Sequence, residues 1–228
     1  MAKILVTNDD GIDAPGLALL AELAADFGEA MVAAPAEQHS QQGHRLTTNA
    51  PIAVEQVRRG WFRVQGTPAD CVRLGLWELC PDADWVFAGV NDGGNLGADI
   101  YCSGTVAAAR EAALLGRSGL AISQYVVRSR PLDWEGSRRR ARAALRFVLE
   151  QPQDGRGYWN INLPHPENGA DGFAPALCPV DPSPFDVRFE RREGGYFYCG
   201  NYHRRPRVPD SDVDWCFRGG IAVSRLRL

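Results

Sequence analysis

Two apolar rhythms alternate along the chain. The first is a short, nearly unbroken run of strand-forming residues: KILVT (3–7), AMVAAP (30–35), WFRVQ (61–65), DWVFAGV (84–90), GLAISQYVV (119–127) and YWNINLP (158–164). The second has helical spacing. After the first run, Leu17, Leu20, Ala24 and Phe27 recur on one helix face, Pro15 suits a first turn, and Gly28 a stop. PADCVRLGLWELC (68–80) sets Val72, Leu76 and Leu79 on one side, GTVAAAREAALLG (104–116) is an Ala-rich helix, and DWEGSRRRARAALRFVLEQ (133–151) is a longer, Arg-studded one. Strand, helix, strand in succession is the βαβ unit, which builds a parallel sheet through right-handed crossovers. The pattern predicts a doubly wound α/β layout through residue 164.

Beyond residue 164 the texture changes. Residues 165–220 are rich in Pro, Gly, Arg and aromatic residues, with short extended runs in FDVRFER and GYFYC and little helical periodicity. They predict hairpins and long loops that depend on the preceding core: residues 1–164 form the core, and residues 165–228 an extension rather than an independent domain. The closing GIAVSRLRL alternates like a strand. Such a strand needs an edge to pair with, in its own or a neighbouring subunit, and the expected state is a homodimer or homotetramer.

Composition narrows the partners. With 228 residues, 45% of them hydrophobic, the chain can bury a full core. A formal charge of -3 provides no general basic field, so no stable nucleic-acid complex is expected. No run approaches the ~18 to 20 apolar residues of a membrane span, and no signal peptide opens the chain, so the expectation is a cytoplasmic protein away from membranes. The six cysteines are scattered without a CxxC pair. They read as reduced, packed side chains rather than a zinc knuckle or redox dithiol.

The chemistry is expected in the loops after the strands, because open parallel sheets bind ligands beyond their carboxyl ends. The first run stops at Asn8, Asp9, Asp10 and a glycine. Adjacent carboxylates repel unless something positive lies near them, which points to a metal. The loops together offer Asp9, Asp10, Ser40 and Asn91, hard oxygen donors suited to Mg²⁺, Mn²⁺ or Ca²⁺ rather than zinc. Ser103, Gly104 and Thr105 open the Ala-rich helix, whose free N–H groups suit a phosphate. The plainer alternatives are a turn at the NDDG stretch and an ordinary cap at Ser103. His39 and His44 stand in a polar loop without zinc spacing or a Ser-His-Asp pattern. A nicotinamide cofactor is disfavoured because no G-x-G-x-x-G follows the first strand.

In order and spacing, ILVTNDDGIDAPGLALLAELA, GTPADCVRLGL, GVNDGGNLGADIYCSGTVAAAREAALLG and WNINLP closely resemble the blocks of the SurE family of survival-protein nucleotidases. The resemblance runs from residue 3 to about residue 125 and resumes near 158–164. It implies a Rossmann-like three-layer core with an extended, subunit-exchanging C-terminal part, and a metal-dependent phosphomonoesterase acting on nucleoside 5′- and 3′-monophosphates. It also implies a metal shell of Asp9, Asp10, Ser40 and Asn91, with Asn8, Asn95, Ser103, Gly104 and Thr105 around the phosphate. In the mechanism that follows, Asp9 orients or deprotonates the attacking water, while Asn95 and the helix start stabilise charge on the phosphoryl oxygens. Ala36, His39, Gln41 and Cys102 depart from the family pattern, and the altered loop around Ser40 leaves a nucleotide-binding protein without turnover as the alternative.

Overall fold

The computed structural model describes residues 1–39, 42–153, 157–166 and 173–228. Its strands are β1 (Ala2–Thr7), β2 (Gly28–Pro35), β3 (Val54–Arg58), β4 (Trp61–Val64), β5 (Trp85–Asp92), β6 (Ser118–Gln124), β7 (Gly157–Leu163), β8 (Phe173–Leu177) and, after the hairpin β9 (Phe189–Arg192) and β10 (Gly195–Tyr198), β11 (Gly220–Arg227). All but the hairpin join one nine-stranded sheet in the order β3-β4-β2-β1-β5-β6-β7-β11-β8. The run from β4 to β7 is parallel. β3 adds antiparallel to β4, and β11 antiparallel to β7. From β1 the chain winds outward through β2 and β4, then returns to build β5, β6 and β7 on the other side. The winding reverses between β1 and β5, and a crevice opens at such a reversal, beyond the carboxyl ends of the strands.

Alternation along β1 divides the core. Ile4 and Val6 pack with Leu17, Leu20 and Leu23 of α1 (Pro15–Ala25) on one face. Leu5 points the other way, into Cys71 and Val72 of α2 (Pro68–Leu74) and Ala108 and Ala112 of α3 (Gly104–Leu114). Leu145 and Val148 of α4 (Trp134–Leu149) complete the first face. Each such fully buried leucine contributes about 1.5 to 3 kcal/mol relative to an exposed one, so both faces are anchored well before any polar contact is considered. No described helix is long and apolar enough to cross a membrane. Cys71, Cys80, Cys178 and Cys216 are buried and free, whereas Cys102 and Cys199 are exposed and free.

Several elements differ from the sequence reading. Gly28 does not stop α1: the helix ends at Ala25 with Asp26 as its cap, and Gly28 opens β2, where a Cβ would lie 2.2 Å from the Ala2 carbonyl oxygen. The helix expected over 68–80 stops as α-helix at Leu74 and continues as a π-helical turn, Gly75–Leu79. Gly75 sits where a Cβ would be 2.3 Å from Leu5 Cδ2, so the helix can approach the sheet closely only without a side chain there. The last strand finds the edge it was expected to need within its own chain. β11 is inserted between β7 and β8, and α5 (Asp212–Phe217) packs Val213 and Cys216 against Leu96, Tyr125 and Ala222.

Candidate active site

β1 delivers the chain to the reversal point at Asn8. This residue is fully buried, and its amide Nδ2–H donates to the Gly11 carbonyl at 2.9 Å, closing the turn. Gly11 holds φ +101°, a conformation that favours glycine. The other side-chain atom, Asn8 Oδ1, is buried and has no hydrogen-bond partner among the described residues.

Asp9 is 5% exposed and faces the start of α3. The Thr105 N–H donates to its Oδ2 at 3.2 Å, and the Thr105 hydroxyl donates to its Oδ1. Ser103 caps the helix, its Oγ accepting from the Val106 N–H at 3.0 Å. Between them Gly104 is required by space: a Cβ there would lie 2.9 Å from Asp9 Oδ2. Burial pushes the Asp9 carboxyl up to about 6, with the neighbouring Asp10 charge adding to the effect and the Thr105 bonds opposing it.

Asp10 turns toward β5 instead. Its Oδ2 accepts from the Asp92 N–H at 3.1 Å and its Oδ1 from Gln38 at 3.3 Å. Burial raises this carboxyl too, and the Asp92 charge works in the same direction. Asn91, next along β5, donates its Nδ2–H to Gly93 at 2.7 Å, which leaves its amide oxygen as the remaining acceptor. A cavity of about 420 Å³ opens beside Asp10, with Ile12, Pro15, Asp92 and Trp134 among its walls.

The structure thus brings Asp9, Gly104 and Thr105 into one contact, and Asp10 and the Asn91–Asp92 pair into another. Asn95 belongs to a different set of bonds. Its N–H donates to Asn162 Oδ1 at 2.8 Å, its Nδ2–H to Ser123 at 2.7 Å, and its carbonyl accepts from Asn160 and Asn162. This buried network joins the loop after β5 to β6 and β7, so the Asn95 amide nitrogen, expected to face a phosphate, has a protein partner. Ser40 lies outside the described residues. Its neighbour His39 is held by a backbone bond, His39 N–H to the Asp9 carbonyl at 2.7 Å.

Sequence reasoning missed two participants. Asp92 places a third carboxylate beside Asp10, and the signal for it was present: the strand-end dipeptide Asn91-Asp92 repeats the Asn-Asp that follows β1. Gln38 had no comparable signal. Among the described residues, no group of three or more His, Cys, Asp or Glu side chains is arranged to hold a metal. The donor chemistry nevertheless suits a hard cation, since two carboxyls whose charge burial disfavours and the partnerless Asn8 oxygen follow one another at the end of β1.

The family model described as survival protein SurE matches residues 4–179. A Synechocystis sp. protein whose name carries a provisional 5′-nucleotidase assignment is 45% identical over 226 residues, covering 99% of this chain and 100% of that protein. The 5′-nucleotidase SurE of Geobacter sulfurreducens is 44% identical over 244 residues, covering 99% of this chain and 88% of its own length. Among solved structures, the SurE protein of Aquifex aeolicus superposes with a TM-score of 0.84 at 27% identity, over 99% of this chain and 93% of that one. By the family model, the sequence relatives and the solved structure alike, the chain belongs to the SurE family.

Proposed function

We propose that the protein is a divalent-metal-dependent phosphomonoesterase that hydrolyses nucleoside 5′-monophosphates, and 3′-monophosphates, to nucleoside and phosphate. The observation that carries this reading is the junction of Asp9 with Gly104 and Thr105, which sets a buried carboxylate against a helix N-terminus at the reversal point of the sheet. The names of the relatives, 5′-nucleotidase in each case, support the substrate class.

In this reading Asp9, Asp10, Asn91 and Ser40 hold the ion, Mg²⁺ or Mn²⁺ before Ca²⁺, because all four offer hard oxygen donors. Such an ion, held there, would supply Lewis-acid polarisation of the phosphoryl group and acidify water in the site. Asp9, fixed by two donors from Thr105, orients the attacking water or takes its proton. Asn8, Asn95, Ser103, Gly104 and Thr105 surround the phosphate, whose charge is favoured by the positive end of α3. The cavity beside Asp10 offers room for the organic part of the ester. The working form is a homodimer or homotetramer in which residues 165–228 reach a neighbouring subunit, and the expected compartment is the cytoplasm.

The test is phosphate release from nucleoside 5′- and 3′-monophosphates, with and without EDTA, followed by addition of Mg²⁺ or Mn²⁺. Release that stops with chelation and returns with either ion is expected. Undiminished release in excess EDTA overturns the metal assignment. No release from any nucleoside monophosphate overturns the activity.

A further inference from the structure

The cavity beside Asp10 has two kinds of wall. Ile12, Pro15, Val90 and Trp134 are apolar, whereas Gln38 and the carboxylates of Asp10, Asp13, Glu37 and Asp92 are polar. Two bonds join the polar wall to the site already described: Asp10 accepts from the Asp92 N–H at 3.1 Å and from Gln38 at 3.3 Å. Among the described residues no Lys, Arg or His lines the cavity, and Arg63, which is not one of its walls, lies 3.7 Å from Asp13. Its volume, about 420 Å³, falls within the ~300 to 1,000 Å³ of small-molecule sites.

Trp134 is held firmly in that wall. It is the first residue of α4, whose cap, Asp133, accepts from the Gly136 N–H at 3.0 Å. One turn on, the Ser137 hydroxyl donates to Gln124, the last residue of β6, at 2.6 Å. These bonds tie the start of the helix to the end of the sheet. The indole is partly buried against the first core face, and α1 leaves room for it. A Cβ on Gly16 would lie 1.9 Å from the Val90 carbonyl oxygen and 3.3 Å from Trp134 Cη2. The ring is thus backed by packed protein and still lines the cavity, so little freedom remains for it to lose when a flat ligand meets it.

We propose that Trp134 is the specificity-determining residue of this cavity: its indole is the platform for a neutral aromatic base, while the carboxylates of the polar wall take the hydrogen-bond donors of the nucleoside and turn away a second phosphate. The assignment rests on the phosphomonoesterase reading above and names the organic half of its ester. Ionised carboxylates only accept hydrogen bonds, which matches ribose hydroxyls and an exocyclic amine. A further phosphate entering the cavity would instead meet like charge with no cation among the described walls to offset it. Removing an aromatic platform weakens base binding by about 5- to 100-fold. A single half-buried indole acts toward the lower end of that range.

The experiment compares kcat/KM for adenosine 5′-monophosphate, ribose 5-phosphate and adenosine 3′,5′-bisphosphate, in Mg²⁺, among the full-length parent, Trp134→Phe, Trp134→Leu and Asp13→Asn/Glu37→Gln. Saturation-transfer NMR of adenosine in EDTA accompanies it. The preference for adenosine 5′-monophosphate over ribose 5-phosphate should fall about tenfold in Trp134→Leu, through KM rather than kcat, and survive in Trp134→Phe. The parent should release phosphate from the bisphosphate at least ~10-fold less efficiently than from the monophosphate, and Asp13→Asn/Glu37→Gln should narrow that gap. Saturation should reach the base protons of adenosine in the parent and not in Trp134→Leu. Equal losses on the monophosphate and ribose 5-phosphate in Trp134→Leu make Trp134 a packing residue and overturn the proposal. So does a parent that uses the bisphosphate as well as the monophosphate. If Trp134→Leu does not fold, the parent's rejection of the bisphosphate and its saturation of adenosine decide. No release from any of the three esters overturns the activity proposed above, and the NMR then decides the cavity alone. Adenosine held by the parent and lost in Trp134→Leu upholds the platform, and adenosine untouched by the parent overturns it.

Discussion

Asp9→Asn should make the metal-free protein more stable while abolishing its activity. The carboxyl titrates at about 6 in the fold against an ordinary 3.8, chiefly because burial penalises its charge. A pKa raised by folding means that the folded state holds the proton more tightly. The associated stability is therefore complete below the unfolded value and is lost as pH rises through the folded one. Working from those two values, the ionised side chain costs the fold about 3 kcal/mol by pH ~7 and only about half a kcal/mol near pH ~4. Asparagine carries no charge and keeps the shape. The Thr105 N–H can donate to its Oδ1, while the Thr105 hydroxyl reverses to accept from its Nδ2–H. For a chain of this size the gain corresponds to a Tm higher by roughly 6 to 12 °C near neutral pH. The assay is thermal unfolding in EDTA from about pH 4 to pH 7.5, paired with phosphate release in Mg²⁺, where kcat should fall by at least ~100-fold. An Asp9→Asn protein less stable than the parent at neutral pH, or a Tm gap that does not widen as pH rises, would refute the reasoning.

Thr105→Val should weaken metal binding and turnover together, each by about tenfold, because the lost hydroxyl orients Asp9; calorimetry showing intact metal affinity with lowered turnover would return that hydroxyl to the phosphate. Asp70→Ala should cost about 3 to 5 kcal/mol, read as a lowered urea midpoint, since it leaves the Thr47 N–H, Thr47 hydroxyl and Thr67 N–H without their acceptor. Light scattering of the parent should give a dimer or tetramer mass, and replacing the exposed Tyr196 and Phe197 of the β9–β10 hairpin with serine should shift it toward monomer. An unchanged mass would separate the hairpin from assembly.

The α/β core was legible because β1, β5, β6 and β7 are short and largely buried runs, and the helices between strands carry apolar residues at helical spacing. KILVT and DWVFAGV read as strands with no knowledge of their neighbours, and they pair side by side in the sheet. What was not legible depends on contacts distant in the chain. β3 is exposed along its whole length and pairs only with β4, so no burial pattern marks it. β8 and α5 gain their places from β11, which enters the sheet between β7 and β8. The alternation in GIAVSRLRL correctly announced a strand. It could not say that both of its edges would be covered, because the partner edges come from elsewhere in the chain.

The site separates residue type from partner in the same way. Adjacent carboxylates at a strand end, and a Ser-Gly-Thr helix start, announced charge chemistry from residue type alone. That Thr105 turns its hydroxyl onto Asp9, 96 positions away, is a fact of packing. So is the Asn95 bond to Ser123, which occupies an amide expected to meet a ligand. These two contacts have opposite consequences for an evolving or engineered site. Asn95 ties the loop after β5 to β6 and β7 through bonds within the protein. Asp9 is buried, and burial raises its carboxyl above the ordinary value, a cost that the cation proposed above would offset. A local rule broken at a buried position, with its cost worked out and its remedy named, is stronger evidence for chemistry than the presence of acidic residues in a loop.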